Sequence, residues 1–286
     1  MFLLTTSSIL RISRKICNSL MEKLTIKDEV PSTATCRCCA AQARQVFSAP
    51  LLGNLVNYYD CSTCGYVQTE TPYWLDKAYS SAINNCDTGI MIRNQANVGL
   101  VMATLRILNK IHSNVIDYAG GYGILVRLLR DRGINALWSD PYCKNLLAVG
   151  FEHTGENADL VTAFEAFEHF INPIVEAEKL FATAPNLLIT TELIATPAPA
   201  PGQWWYYGQD HGQHIGFFRL KTLQFLAKKF NKNLVSSGQN CHLFTDKLVS
   251  MKQWNLNVRI ARRFPFLYSR GLKSKVWQDF EKMSGK

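Results

Sequence analysis

The sequence predicts a doubly wound, mostly parallel α/β sheet with a small cysteine-rich module ahead of it. Three observations carry this. A glycine-rich turn at residues 119–123 separates a β-branched run from a run of helical period. Beyond it, short apolar runs of strand length alternate with helical segments, as βαβ units require. Two Cys-x-x-Cys pairs, Cys36/Cys39 and Cys61/Cys64, come first.

At 286 residues the chain has room for one large core and a small accessory module. Hydrophobic residues make up 47%, and no run reaches the ~18 apolar residues that a membrane span needs. The net charge of +9 is unevenly placed: residues 247–286 hold ten Lys or Arg against two acids, Asp279 and Glu281. The surplus therefore describes the C-terminal end and says little about a site elsewhere. Nine cysteines, four of them in Cys-x-x-Cys pairs, suggest metal binding in a reducing compartment and not a disulfide scaffold. A cytoplasmic location is the matching expectation.

Residues 1–20 carry Arg11, Arg14 and Lys15, several serines and no acid. A transit peptide fits, as does an over-extended start with Met21 the true initiator. A secretory signal fits poorly, because the apolar stretch is short and broken by Thr5-Thr6-Ser7-Ser8. Residues 1–30 are taken as a disordered or miscalled leader, 31–70 as a zinc-ribbon module, 71–245 as the main domain and 246–286 as a basic tail.

In the ribbon, each Cys-x-x-Cys forms a knuckle with two thiolates facing one point, and two knuckles make a tetrahedral site. Gly65 follows the second pair, where a tight knuckle needs an unhindered residue. Residues 54–59 read as a strand returning to the metal. The expected zinc ligands are Cys36, Cys39, Cys61 and Cys64, with Cys38 a spare. A closed four-thiolate site is structural. A redox role is disfavoured because neither pair opens a helix after a strand.

Tyr73, Trp74 and Tyr79 follow, more readily packing residues than a cover over a ligand. Residues 94–111 are predicted to form a helix with Val101, Leu105, Leu108 and Ile111 on one face. The first strand of the main sheet then ends in Asp117, and the turn runs into a helix that Gly133 stops. The turn is not a dinucleotide fingerprint, because Val126 stands where the third glycine belongs. It is not a P-loop, because no Lys-Ser/Thr pair follows. An acid beside it attracts a cationic amino group and repels a pyrophosphate.

On Asp117, Ala119, Gly121 and Gly123 the sequence resembles the class I S-adenosylmethionine-dependent methyltransferases, whose motif reads acid-x-Gly-x-Gly-x-Gly. Ala119 departs from it, and an alanine suffers there if the backbone needs φ > 0. The resemblance implies a seven-stranded sheet and S-adenosylmethionine as cofactor.

Residues 134–140 are the second strand. Its terminal Asp140 falls where a ribose-binding acid belongs, although an Asp before Pro141 also suits a turn. Residues 159–164 are the next strand. They lead into Glu165-Ala166-Phe167-Glu168-His169, which resembles the segment lying along the cofactor in small-molecule methyltransferases. Glu165 is assigned to the cofactor, and Glu165 and His169 are four apart, able to share a helical face. Pro173 opens a helix with Ile174, Ala177, Leu180 and Phe181 as its buried side, and residues 186–191 form a buried strand.

A Pro-rich connection at 196–202 and a stretch dense in aromatics and histidine at 203–218 come next. Gln213-His214 ahead of Phe217-Phe218 resembles the substrate-facing segment of sugar C-methyltransferases, relatives that also carry an N-terminal zinc module. His214, with His211, is the candidate base. A helix marked by Leu220, Leu223, Leu226 and Phe230 and two edge strands at 233–237 and 242–244 complete the sheet. The tail reads as solvated and partly helical.

The implied function is methyl transfer to a small-molecule, sugar-like acceptor. The alternatives are a catalytically silent domain that binds a protein or RNA partner through ribbon and tail, and a methyltransferase of RNA or protein.

Overall fold

The computed structural model describes residues 32–80 and 87–286; the leader expected at residues 1–30 lies outside them. The chain opens with strands β1 (Thr33–Thr35), β2 (Gln42–Leu51), β3 (Asn54–Asp60) and β4 (Val67–Thr69). The β2–β3 hairpin pairs from Arg44↔Asp60 to Leu51↔Asn54. Its two turn residues, Leu52 and Gly53, have φ of 49° and 83°. Two left-handed residues in a two-residue turn match the twist of antiparallel strands.

Helices α1 (Leu75–Ala78) and α2 (Ile90–Ile107) lead to β5 (Asn114–Tyr118) and α3 (Ile124–Asp131). α2 starts before the expected residue 94 and stops before 111, because Asn109 turns left-handed at φ 56°. There follow β6 (Asn135–Ser139), β7 (Leu160–Phe164), α4 (Pro173–Thr183), β8 (Asn186–Thr190), β9 (Gly216–Phe217), α5 (Leu220–Lys229), β10 (Asn233–Ser236) and β11 (Cys241–Thr245). Helices α6 (Met251–Arg263) and α7 (Val276–Ser284) close the chain.

The main sheet has the order β10-β11-β8-β7-β5-β6. β6, β5, β7 and β8 run parallel, and β11 lies antiparallel between β8 and β10. Seven strands were expected; six are present among the described residues. At the place of a seventh, one parallel bridge joins Trp138 to Glu152. Two backbone bonds hold it, Trp138 N–H to Phe151 O and His153 N–H to Trp138 O, both 2.8 Å. The chain then turns away, as Thr154 N–H and Oγ1 donate to the Glu156 carboxylate at 2.7 and 3.0 Å. That turn ends the ladder before a strand forms.

Helices cover both faces. Val101 and Leu105 of α2, Val126 and Leu129 of α3 and Trp254 of α6 pack with Val115 and Leu243 on one side. Leu180 of α4 and Leu223 and Leu226 of α5 pack with Ile116, Val161 and Ile189 on the other. Each fully buried leucine contributes roughly 1.5–3 kcal/mol.

The ribbon shares its sheet with the rest of the chain. β4 pairs antiparallel with β9 through Val67↔Phe217 and Gln68↔Gly216. A Cβ at Gly216 would overlap the Tyr66 hydroxyl, so only glycine fits this crossing. Arg219 adds a bidentate pair with Asp60, both contacts 2.7 Å, and donates to Gly65 O at 2.9 Å.

The C-terminal segment is partly helical, as expected, and mostly exposed, but it is docked and not free. Trp254, Val258 and Ala261 of α6 are buried, spaced i, i+4, i+7, and α6 packs on α2 so closely that a Cβ on Gly99 would meet the Ala261 carbonyl. In α7, Asp279 is 4% exposed and receives Arg130 at 2.6 and 2.8 Å and Arg127 at 2.6 Å. Dense positive charge hid this stripe in the sequence.

Candidate functional site

A cavity of about 1700 Å³ opens at the carboxyl ends of the parallel strands, where ligands bind in open α/β sheets. The glycine turn after β5 forms one wall. Ala119, Gly121 and Gly123 have φ of 56°, 54° and 84°. The every-second-residue glycine spacing thus marks three left-handed positions. Ala119 adopts the glycine conformation at a cost on the order of 1 kcal/mol, so the departure from the motif leaves the turn's shape intact. Gly120, a variable position in that pattern, is also constrained: a Cβ there would lie 2.9 Å from Trp138 and 3.0 Å from the Asp117 carboxylate.

Asp117 is 4% exposed, and its Oδ1 accepts from Thr162 Oγ1 at 2.7 Å. Burial pushes its pKa up to about 7; the Thr162 hydroxyl opposes the shift and nearby Asp140 adds to it. Among the described residues it forms no ion pair with a cationic side chain. Asp140, past the end of β6, accepts from Gly121 N–H through Oδ2 at 2.9 Å. Its Oδ1 accepts from Tyr142 and Cys143 N–H at 2.8 and 2.9 Å. The turn-bracing reading of Asp140 therefore holds, and the same bonds fix its carboxylate against the glycine turn.

Glu165, just after β7, has φ 49°, a second strained non-glycine residue at the cavity. The helical face expected for Glu165 and His169 is absent, because residues 167–169 form a single 3-10 turn after this kink. Both residues still line the cavity.

His169, His211 and His214 converge on the opposite wall, with ring centroids 4.9 Å apart for His169 and His214 and 4.8 Å for His211 and His214. His214 Nδ1 lies 2.6 Å from the Tyr206 carbonyl, which places its proton there and leaves Nε2 with a lone pair. His211 Nδ1 accepts from Gln213 N–H at 3.1 Å, and its ring rests on Gly208, where a Cβ would overlap it. Burial lowers the pKa of all three, to about 4 for His169, so each is neutral near pH 7. Gln213 is buried and donates to Ala78 O at 2.9 Å, a bracing role.

Glu168 was passed over in the sequence in favour of its neighbours. It is fully buried, and its Oε1 accepts from the Tyr206 hydroxyl at 2.6 Å. Burial, with Glu165 nearby, pushes its pKa up to about 8. Tyr79 reaches His169 Nδ1 with its hydroxyl at 2.8 Å, whereas Trp74 is buried and donates to Gly212 O at 2.8 Å. Of that early aromatic group, Trp74 packs and Tyr79 faces the cavity.

The four predicted cysteines come together away from this cavity, their sulfurs within 4.8 Å of one another. Cys36 and Cys64 are 3.6 Å apart and Cys39 and Cys61 3.5 Å. A tetrahedron with metal–sulfur bonds of about 2.3 Å has edges of about 3.8 Å, so the donor set fits a metal ion. The two knuckles match: Cys36 O accepts from Ala40 N–H and Cys61 O from Gly65 N–H, with Ala40 at φ 61° and Gly65 at φ 79°. Cys38 is buried but outside the group.

A family profile described as a methyltransferase domain matches residues 92–237, just over half of the chain. The chain belongs to this methyltransferase-domain family. No curated protein sequence matches it. Among solved structures, an O-methyltransferase family protein from Burkholderia thailandensis is 14% identical, with a TM-score of 0.42 over 61% of this chain and 68% of that one. An O-methyltransferase family 2 protein from Planctomyces limnophilus, in complex with apigenin, is 14% identical, with a TM-score of 0.40 over 59% and 63%. Magnesium protoporphyrin IX methyltransferase from Synechocystis, with bound S-adenosylhomocysteine, is 15% identical, with a TM-score of 0.41 over 59% and 90%. The methyltransferase domain lies within a chain whose described helices include none long and apolar enough to cross a membrane.

Proposed function

We propose that the chain transfers a methyl group from S-adenosylmethionine to a small-molecule, sugar-like acceptor. The observation that carries this is Asp117: a buried carboxylate without a cationic partner among the described residues, beside a turn with three left-handed positions. Such a group is complementary to an ammonium ion, and the donor's methionine part carries one. S-adenosylmethionine, when bound, supplies an electrophilic methyl on a sulfonium. Asp117 holds its amino group, Ala119, Gly121 and Gly123 admit it close to the backbone, and Asp140 and Glu165 offer oxygens to its hydroxyls and adenine edge.

The cavity exceeds the roughly 300–1,000 Å³ of a typical small-ligand site, which leaves room for an acceptor beside the donor. While its Nε2 is unligated, His214 is the group that takes a proton from that acceptor, and His211 backs its ring. Trp204, Trp205 and Tyr206 line the same wall and exclude water from the reacting atoms. Zinc at Cys36, Cys39, Cys61 and Cys64 ties the ribbon together and takes no part in the chemistry.

Calorimetric titration of the zinc-loaded protein with S-adenosylhomocysteine tests the reading. A micromolar constant, lost in Asp117→Ala, supports it. Absence of binding at millimolar ligand overturns it. A catalytically silent domain is not favoured: Ala119, the departure from the glycine motif, keeps the turn's conformation.

A further inference from the structure

We infer that Glu168, His169 and His214 form a second metal site, for a borderline divalent cation such as Zn²⁺, Fe²⁺ or Co²⁺, at the acceptor end of the cavity. One donor atom from each lies within 4.8 Å of the others. Bonds around such a cation place ligand atoms about 3–4 Å apart, so the three donors draw in by about 1 Å when it binds.

Each ligand already has the outer partner that orients it. His214 is held through Nδ1 by the Tyr206 carbonyl at 2.6 Å, and His169 through Nδ1 by the Tyr79 hydroxyl at 2.8 Å. Tyr206 reaches Glu168 Oε1 at 2.6 Å. Metal-binding imidazoles are held in this way by the nitrogen they do not use. The backbone joins the two segments, since Ile215 N–H donates to Glu168 O at 2.8 Å. His169 turns Nε2 toward Glu168, 4.0 Å from Oε1.

The second, independent observation is Glu168 Oε2. It is buried and has no hydrogen-bond partner among the described residues, and no Lys or Arg there pairs with Glu168. The Glu168 carboxyl and the two imidazoles are oxygen and nitrogen ligands of the kind such a cation takes, and the cation displaces the protons on its ligand atoms as it binds. Two imidazoles and one carboxylate leave coordination positions open toward the cavity, unlike the closed four-thiolate site. An acceptor bearing a hydroxyl or carbonyl oxygen fills one of them. With the cation bound, His214 serves as ligand and not as base, and an acceptor hydroxyl releases its proton to solvent as its oxygen coordinates.

This use of the cation rests on the methyl-transfer reading; its binding does not. Full-length protein with zinc in the cysteine site is titrated with Co²⁺ by calorimetry and visible absorption. The expected result is one added equivalent per chain, with d–d bands and without the thiolate charge-transfer band. Its affinity falls at least tenfold in Glu168→Gln and in His214→Asn, while both variants keep their cysteine-bound zinc. No added equivalent in the wild type overturns the site whatever the variants do, as does equal binding in wild type and folded variants. Titrating the same samples with S-adenosylhomocysteine separates the two ideas: donor binding without a Co²⁺ site removes only the metal, and a Co²⁺ site without donor binding removes only the transfer reading.

Discussion

Asp117 links donor binding to pH. Burial raises its pKa to about 7 in the unliganded chain, so its ammonium-binding carboxylate exists only when that proton is lost. At pH 6 about nine-tenths of the chains carry the proton, and at pH 7.5 about a quarter do. If only the ionised form takes the amino group, the competent fraction rises from about 0.09 to about 0.76. Affinity for S-adenosylhomocysteine then increases roughly eightfold between these pH values, about 1.2 kcal/mol. The sign follows from the raised pKa: the proton is held on the free chain and released on binding, so binding weakens as pH falls. Titrations at pH 6 in buffers of different ionisation enthalpy should register close to one proton released per ligand bound. Asp117→Asn should bind more weakly and nearly independently of pH. A flat profile in the wild type, or the same slope in the Asn variant, refutes the assignment of Asp117 to the amino group.

Three further outcomes follow from the packing. Ala119→Gly relieves about 1 kcal/mol of left-handed strain but adds about 0.5–1 kcal/mol of unfolded-chain entropy, so the thermal midpoint should stay within a few degrees of wild type; a loss of about 1 kcal/mol, as at an unstrained site, counts against the strain. Asp279→Ala leaves Arg130, itself 5% exposed, without its carboxylate and should cost about 3 kcal/mol in denaturant unfolding; a loss within 0.5 kcal/mol, on the order of a surface change, would return α7 to the status of a solvated tail. Cys61→Ser should abolish the release of one zinc equivalent on thiol modification and lower the thermal midpoint; full zinc retention would move the ligand set to Cys38.

The turn at residues 119–123 and the two Cys-x-x-Cys pairs were legible because their chemistry is local. Glycine spacing records backbone conformation residue by residue, and Ala119, the departure from that spacing, takes the glycine conformation at φ 56°. A knuckle lies within five residues, so Gly65 was readable; Ala40, its equivalent in the first knuckle, was not, because alanine carries no such signal. Strand positions from β5 to β8 followed from apolar runs. The seventh strand did not, since one bridge and a turn leave no run to detect. Glu168 was missed because an acid next to a histidine looks like surface until Tyr206, 38 residues away, is found bonded to it.

By itself, then, the sequence determined what depends on neighbours along the chain: an α/β alternation, a left-handed turn beside an acid, two thiol knuckles, and a segment rich in histidine and aromatics. The tertiary structure decided what depends on burial and on meetings across the chain. It joined β9 to the ribbon sheet and packed α6 on α2. It sank Asp117 and Glu168 into low dielectric and brought His169 beside His214. Conformational preference belongs to a residue and its neighbours, whereas desolvation and convergence belong to the folded chain, and the charge state of this site rests on the latter.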